Sequence, residues 1–178
     1  YTEESEIYAV CSVNQSTVTA ELTFGGKSFR ETAEAMGCFE KIAFLDDNSP
    51  LAMGKLAAYE GFAREYGCAF VAMGNPALRL QWLEKLEQAG YELPALIHPR
   101  ACVSPSATLG KAVIVEPMAV VNAEAVVETG GLLCAGCVVN HNAHVMAVCQ
   151  IDCNAVVASN ATVPAGTKVF SGTVFERK

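Results

Sequence analysis

The chain has 178 residues, 52% of them hydrophobic but only 8% aromatic, and its 12 basic against 19 acidic residues leave a formal net charge of −7. So apolar a composition excludes a disordered chain, and every apolar stretch is broken by a charge, Asn or Gly before the roughly 18 residues that a membrane span needs. Nucleic acid is excluded as a partner, because neutralising phosphates takes a concentrated Lys/Arg patch and the sequence has none.

The start, Tyr1-Thr2-Glu3-Glu4-Ser5-Glu6, is acidic where a secretory leader is basic, and the first twenty residues carry no assignable pattern. In Leu22-Thr23-Phe24-Gly25-Gly26-Lys27-Ser28-Phe29 two glycines stand between a possible strand and a helix, where backbone amides can face a phosphate. The third glycine of a dinucleotide fingerprint is missing, so the same residues also read as a plain turn. A helix is predicted from Phe29 to Met36. Lys41-Ile42-Ala43-Phe44-Leu45-Asp46-Asp47 reads as a buried parallel strand ending in two carboxylates, and Cys68 to Met73 repeats that pattern. Helices are predicted over about Leu56–Tyr66 and over Pro76–Ala89, the latter with Pro76 in its first turn, an apolar face of Leu78, Leu80, Trp82, Leu83 and Leu86, and Gly90 as its stop. The alternation predicts an α/β, Rossmann-like domain over residues 1–97.

After Pro94, His98 and Pro99 no segment has helical period. From Val103 to Val169 every sixth residue is a branched aliphatic: Val103, Leu109, Val115, Val121, Val127, Leu133, Val139, Val145, Ile151, Val157, Val163 and Val169. Four positions after each stands a small or modest residue, among them Ala107, Ala119, Gly131, Cys137, Ala143, Cys149 and Ala161. An unbroken repeat of this kind predicts short strands joined by turns, three to a coil, with the aliphatic residues stacked in a core where the small positions leave no room for more. In this the segment over residues 98–178 resembles the hexapeptide-repeat left-handed parallel β-helix, and the resemblance implies about four coils of it. The eight cysteines follow no disulfide framework; Cys137 and Cys149 occupy small inward positions, and free thiols in a reducing cytoplasm are expected. His98 reads as a structural residue of the junction, while His141, at the third position of its hexad, reads as exposed on a corner between strands.

The order of these parts, with Phe44-Leu45-Asp46-Asp47, Leu96-Ile97-His98-Pro99, Val103-Ser104-Pro105-Ser106-Ala107 and a corner histidine, resembles the hexapeptide-repeat sugar O- and N-acetyltransferases of the sialic-acid and bacillosamine type. The resemblance implies a homotrimer that moves an acetyl group from acetyl-CoA to a hydroxyl or amine of a sugar, nucleotide-linked in several members, with no metal. It implies His141 as general base, with Asn142 where relatives commonly carry an acidic residue. Gln150 stands where a second histidine is usual, and Gln150 and Lys168 are the coenzyme-side candidates. Gly25, Gly26, Asp46 and Asp47 match the acceptor-side loop and strand end. Two other readings stay open: a catalytically degenerate trimeric binding or assembly module, and a zinc hydrase of the carbonic-anhydrase-like type, for which His141 and His144 lack a third partner in phase.

Overall fold

The computed structural model describes residues 7–12, 24–47, 49–50 and 52–176, and the chain divides into two compact units between Pro94 and Ala95. The first is the α/β unit. Strand β1 (Ile7–Ser12) lies between β2 (Lys41–Leu45) and β3 (Cys68–Ala69). It runs antiparallel to both, which corrects the parallel pairing expected of β2. The two outer strands point the same way, but through a neighbour that opposes each. Helix α1 (Phe24–Met36) starts five residues before its predicted start, so Gly25 and Gly26 belong to its first turn rather than to a loop. The predicted strand residues Leu22 and Thr23 lie outside the described residues.

The predicted middle helix is shorter than its pattern: a 3-10 turn over Leu56–Ala58 runs into the four-residue α2 (Tyr59–Phe62). Helix α3 (Pro76–Gln88) is capped by Asn75, whose side chain accepts from the N–H groups of Ala77 and Leu78 at 3.0 and 3.1 Å, satisfying two amides that have no intrahelical partner. Gly90 follows its end with φ +91°. Its buried face is Arg79, Leu83 and Leu86, whereas Leu78 and Leu80 are exposed. Arg79 replaces the expected leucines because its guanidinium donates to the carbonyls of Met73 and Gly74 in the segment that follows β3, so the buried charge is hydrogen-bonded. Phe44, Leu45, Tyr66, Phe70 and Val71 fill the rest of this core.

The second unit is the β-helix. Fourteen two-residue strands from Leu96–Ile97 to Val174–Phe175 form three parallel sheets, one per face of the prism. Each rung up to Val156–Val157 pairs with the one eighteen residues on, as Leu132 does with Gln150 and Val139 with Val157. In each rung the second residue points inward, and Val115 through Val163 are essentially inaccessible; the first residue points outward, since successive strand side chains alternate. At the small position of one hexad, a Cβ on Gly131 would lie 2.7 Å from the Val127 methyl, so that corner is crowded even for alanine. Cys137 and Cys149 are fully buried at the same position, and burial, with Glu116 nearby, pushes the Cys137 thiol up to about 12, leaving it unreactive. One residue in every six from Ala112 to Gly172 has a positive φ and turns the chain from one face to the next.

Candidate active site

The corner between the rungs Val138–Val139 and His144–Val145 is Asn140-His141-Asn142-Ala143. Asn142 takes the left-handed conformation of the repeat with φ 55°, which Asn tolerates better than other non-glycine residues, and its N–H donates to the Ala123 carbonyl of the preceding coil at 3.1 Å. Below it, Asn122 donates from its side-chain amide to Asn140 Oδ1 at 3.1 Å. His141 and Asn142 are both exposed. The His141 carbonyl accepts from Asn160 N–H at 3.1 Å, so the backbone beneath the imidazole is fixed by the coil above.

Three residues on, His144 opens the next rung, with Val126 and Thr162 as its neighbours in the same outward column. Its Nε2 lies 2.6 Å from Glu128 Oε1, and Glu128 Oε2 accepts the Ala147 N–H at 3.0 Å. The hexad pattern alone does not reveal this pair. The available signal was arithmetic: with eighteen residues per coil, a residue just past one rung sits beside the opening residue of the rung above, sixteen positions later. Both side chains are about two-fifths exposed, at 40% for His144 and 37% for Glu128.

On another face, the two coenzyme-side candidates are brought together. Gln150 and Lys168 are register partners, and both converge on Asp152: Gln150 Nε2 donates to Oδ1 at 2.8 Å and Lys168 Nζ stands 3.2 Å from Oδ2. The ammonium charge is therefore matched by a carboxylate that the sequence analysis did not single out.

In the N-terminal unit, Gly25 and Gly26 lie in the first turn of α1 and the two aspartates follow β2. Asp46 is buried, and its carboxylate accepts from Ser49 N–H at 3.0 Å; Asp47 is exposed, and its carboxylate accepts from Leu56 N–H at 3.0 Å. These bonds order the loop after β2. At the start of the β-helix, His98 Nδ1 accepts from Arg100 N–H at 3.0 Å. Among the described residues no group of three His, Cys, Asp or Glu stands close enough to hold a metal ion, and no helix is long and apolar enough to cross a membrane.

Residues 25–86 match the PglD N-terminal domain family. None of the curated proteins compared with the sequence matches it. Among solved structures, the acetyltransferase domain of PglB from Neisseria gonorrhoeae is 31% identical with a TM-score of 0.83, over 86% of this chain and 78% of that one. The same domain in complex with acetyl coenzyme A superimposes with a TM-score of 0.81 at the same identity and coverage. A variant of perosamine N-acetyltransferase from Caulobacter crescentus, in complex with CoA and GDP-perosamine, is 24% identical over 90% of this chain and 91% of that one, with a TM-score of 0.69, and shares the fold. An α/β unit of the PglD kind, followed by this β-helix, makes the chain a member of the hexapeptide-repeat sugar acetyltransferase family.

Proposed function

We propose that the protein transfers an acetyl group from acetyl-CoA to a hydroxyl or amine of a sugar, with a nucleotide-linked sugar as the acceptor. The observation that carries this reading is the pair of imidazoles, His141 and His144, presented outward at one corner of the β-helix and set in backbone hydrogen-bonded to the coils on either side. Acyl transfer from a thioester needs a base for the proton of the attacking group, and a histidine is the side chain best matched to that work near neutral pH. The family resemblance gives this role to His141, with Asn142 beside it. Gly25, Gly26, Asp46 and Asp47 serve the acceptor in the N-terminal unit, the exposed carboxylate of Asp47 being suited to sugar hydroxyls. Gln150 and Lys168 serve the coenzyme, and Lys168 must then exchange Asp152 for a phosphate oxygen.

The assembly we infer is a homotrimer in the cytoplasm. Its support is the outward column Val120, Val138, Val156 and Val174 on one face, an apolar stripe of a kind that soluble chains cover by association. The test is transfer from acetyl-CoA to GDP-perosamine and to a UDP-linked amino sugar, followed by mass spectrometry of the product. Acetylated sugar is expected from the native chain and none from a variant carrying both His141→Ala and His144→Ala. Product at an undiminished rate from that variant would remove histidine catalysis. A native chain that neither acetylates the sugars nor binds acetyl-CoA in calorimetry would instead be a binding or assembly module.

A further inference from the structure

We propose that His144, held by Glu128, selects an amine over a hydroxyl as the acceptor group, an inference that rests on the acetyl-transfer reading above and leaves His141 as its base. The two oxygens of Glu128 have different partners in the next coil: Oε1 meets His144 Nε2 at 2.6 Å and Oε2 accepts the Ala147 amide at 3.0 Å. A carboxylate can only accept, so the shared proton sits on Nε2, and Nδ1 of the neutral ring keeps its lone pair. Among the described residues Nδ1 has no hydrogen-bond partner, and the side chain is 40% exposed. His144 thus offers a ligand one fixed acceptor, tied through Glu128 to the backbone of the next turn.

Glu116 supplies an internal comparison. Its Oε2 accepts the Ala135 amide at 2.9 Å, as Glu128 does with Ala147, but the residue sixteen positions after it is Leu132. Pinning the following turn is therefore a structural use of glutamate in this β-helix, and a bound imidazole is what the Glu128 corner adds. Val126 and Thr162, which flank His144 along its face, bring no charge of their own. His141 precedes His144 by three residues, so their Cα atoms are at most about 10–11 Å apart. Asn142 between them, at φ 55°, bends the chain, and one sugar can meet both rings.

The count of hydrogens makes the selection. A primary amine has two N–H bonds: His141 takes one proton as the nitrogen bonds to the thioester carbonyl carbon, and the other N–H points to His144 Nδ1. The carbon–sulfur bond then breaks, and the coenzyme A sulfur leaves with the proton that His141 had taken. The second hydrogen is never transferred; it stays on nitrogen from amine to amide, so its bond to His144 holds in substrate, transition state and product alike. A hydroxyl has one hydrogen, which His141 needs, and its oxygen then turns a lone pair toward that of Nδ1, leaving the imidazole acceptor unpaired once water is displaced. A contact made equally throughout lowers KM without raising kcat, which separates the role of His144 from that of a base.

Steady-state kinetics with GDP-perosamine, and with the GDP-sugar that carries a hydroxyl in place of its amine, test this. His144→Ala is expected to lower kcat/KM for the amine by roughly ten- to a hundredfold, through the KM for the sugar, with kcat and the KM for acetyl-CoA little changed. The hydroxyl sugar should fare no worse than with the native chain, so the preference for the amine shrinks by the same factor. His144→Gln, which sets a carbonyl acceptor in place of the imidazole, is expected to restore part of that preference, and Glu128→Ala, which frees the ring, to lose part of it. A merely structural role would weaken both acceptors alike. If His144→Ala leaves the ratio of the two acceptors unchanged or lowers both equally, or if the native chain prefers the hydroxyl, the inference falls while the acetyltransferase reading stands. A native chain with neither transfer nor acetyl-CoA binding overturns both.

Discussion

A residue of the β-helix is placed by its number alone: Val127, Val145 and Val163 stack because each lies eighteen residues from the next. In the N-terminal unit, Phe70 meets Phe39 edge-on at a centroid distance of 5.8 Å, and no repeat relates the two. The contrast separates two ways of specifying a core. One is a rule applied every six residues, so a single hexad announces its burial, turn and face. The other depends on which distant segments happen to meet, and there pattern gives element type better than partner. The chemistry follows the same division, for the His144–Glu128 pair is a by-product of the coil period, whereas Asp46 and Asp47 are disposed of by a local loop.

If the units are independent cores, a large-to-small change in each should move only its own unfolding transition. Phe70→Ala, at a site with no solvent access, should cost about 3–5 kcal/mol and lower the melting of the N-terminal unit. Leu133→Ala, buried in the β-helix at 1% exposure, should cost about 2–5 kcal/mol and lower the other transition. Calorimetry that finds a single transition shifted equally by both would break the comparison. Next in size is Gly110→Ala. The added Cβ would lie 2.7 Å from Thr129 N and 2.9 Å from Glu128 C, both backbone atoms of the next coil that have little freedom to yield. A cost of about 1–3 kcal/mol is expected. The smallest effect concerns the turns. Glu124 is exposed and holds φ 57°, where glycine pays no steric penalty, so Glu124→Gly should stabilise the β-helix by about 0.5–1 kcal/mol, the relief of strain exceeding the added unfolded-state entropy. Denaturant titration would check this, and a loss of stability would mean that the side chain does more than fill the turn.

Much of this was legible in the residues. The aliphatic and small positions of the hexad gave the β-helix, and the third signal was present too: Gly130, Gly136, Asn142, Asn154, Asn160, Gly166 and Gly172 all fall on the left-handed position, which is where those two residue types are cheapest. Read that way, Asn142 has a conformational reason to be asparagine whether or not it touches substrate. Asn75, Pro76 and Gly90 marked the ends of α3 for similarly local reasons. The direction of β1 was not legible, because hydrophobic pattern is blind to the sense of a neighbouring strand. Nor was the burial of Arg79, which depends on carbonyls beyond the start of its own helix.

What the sequence determined by itself is whatever repeats or caps within a few residues: the coil period, the inward ladders, the helix ends and the corner that exposes His141. What only the tertiary structure decided is which side chains meet between coils and across the sheet: Glu128 with His144, Asp152 between Gln150 and Lys168, and β1 against both of its neighbours. The reason is physical. Backbone conformation and burial follow from near neighbours and periodicity, but a hydrogen bond between side chains needs two reaches and two directions to coincide, and those are set only once the coils are stacked.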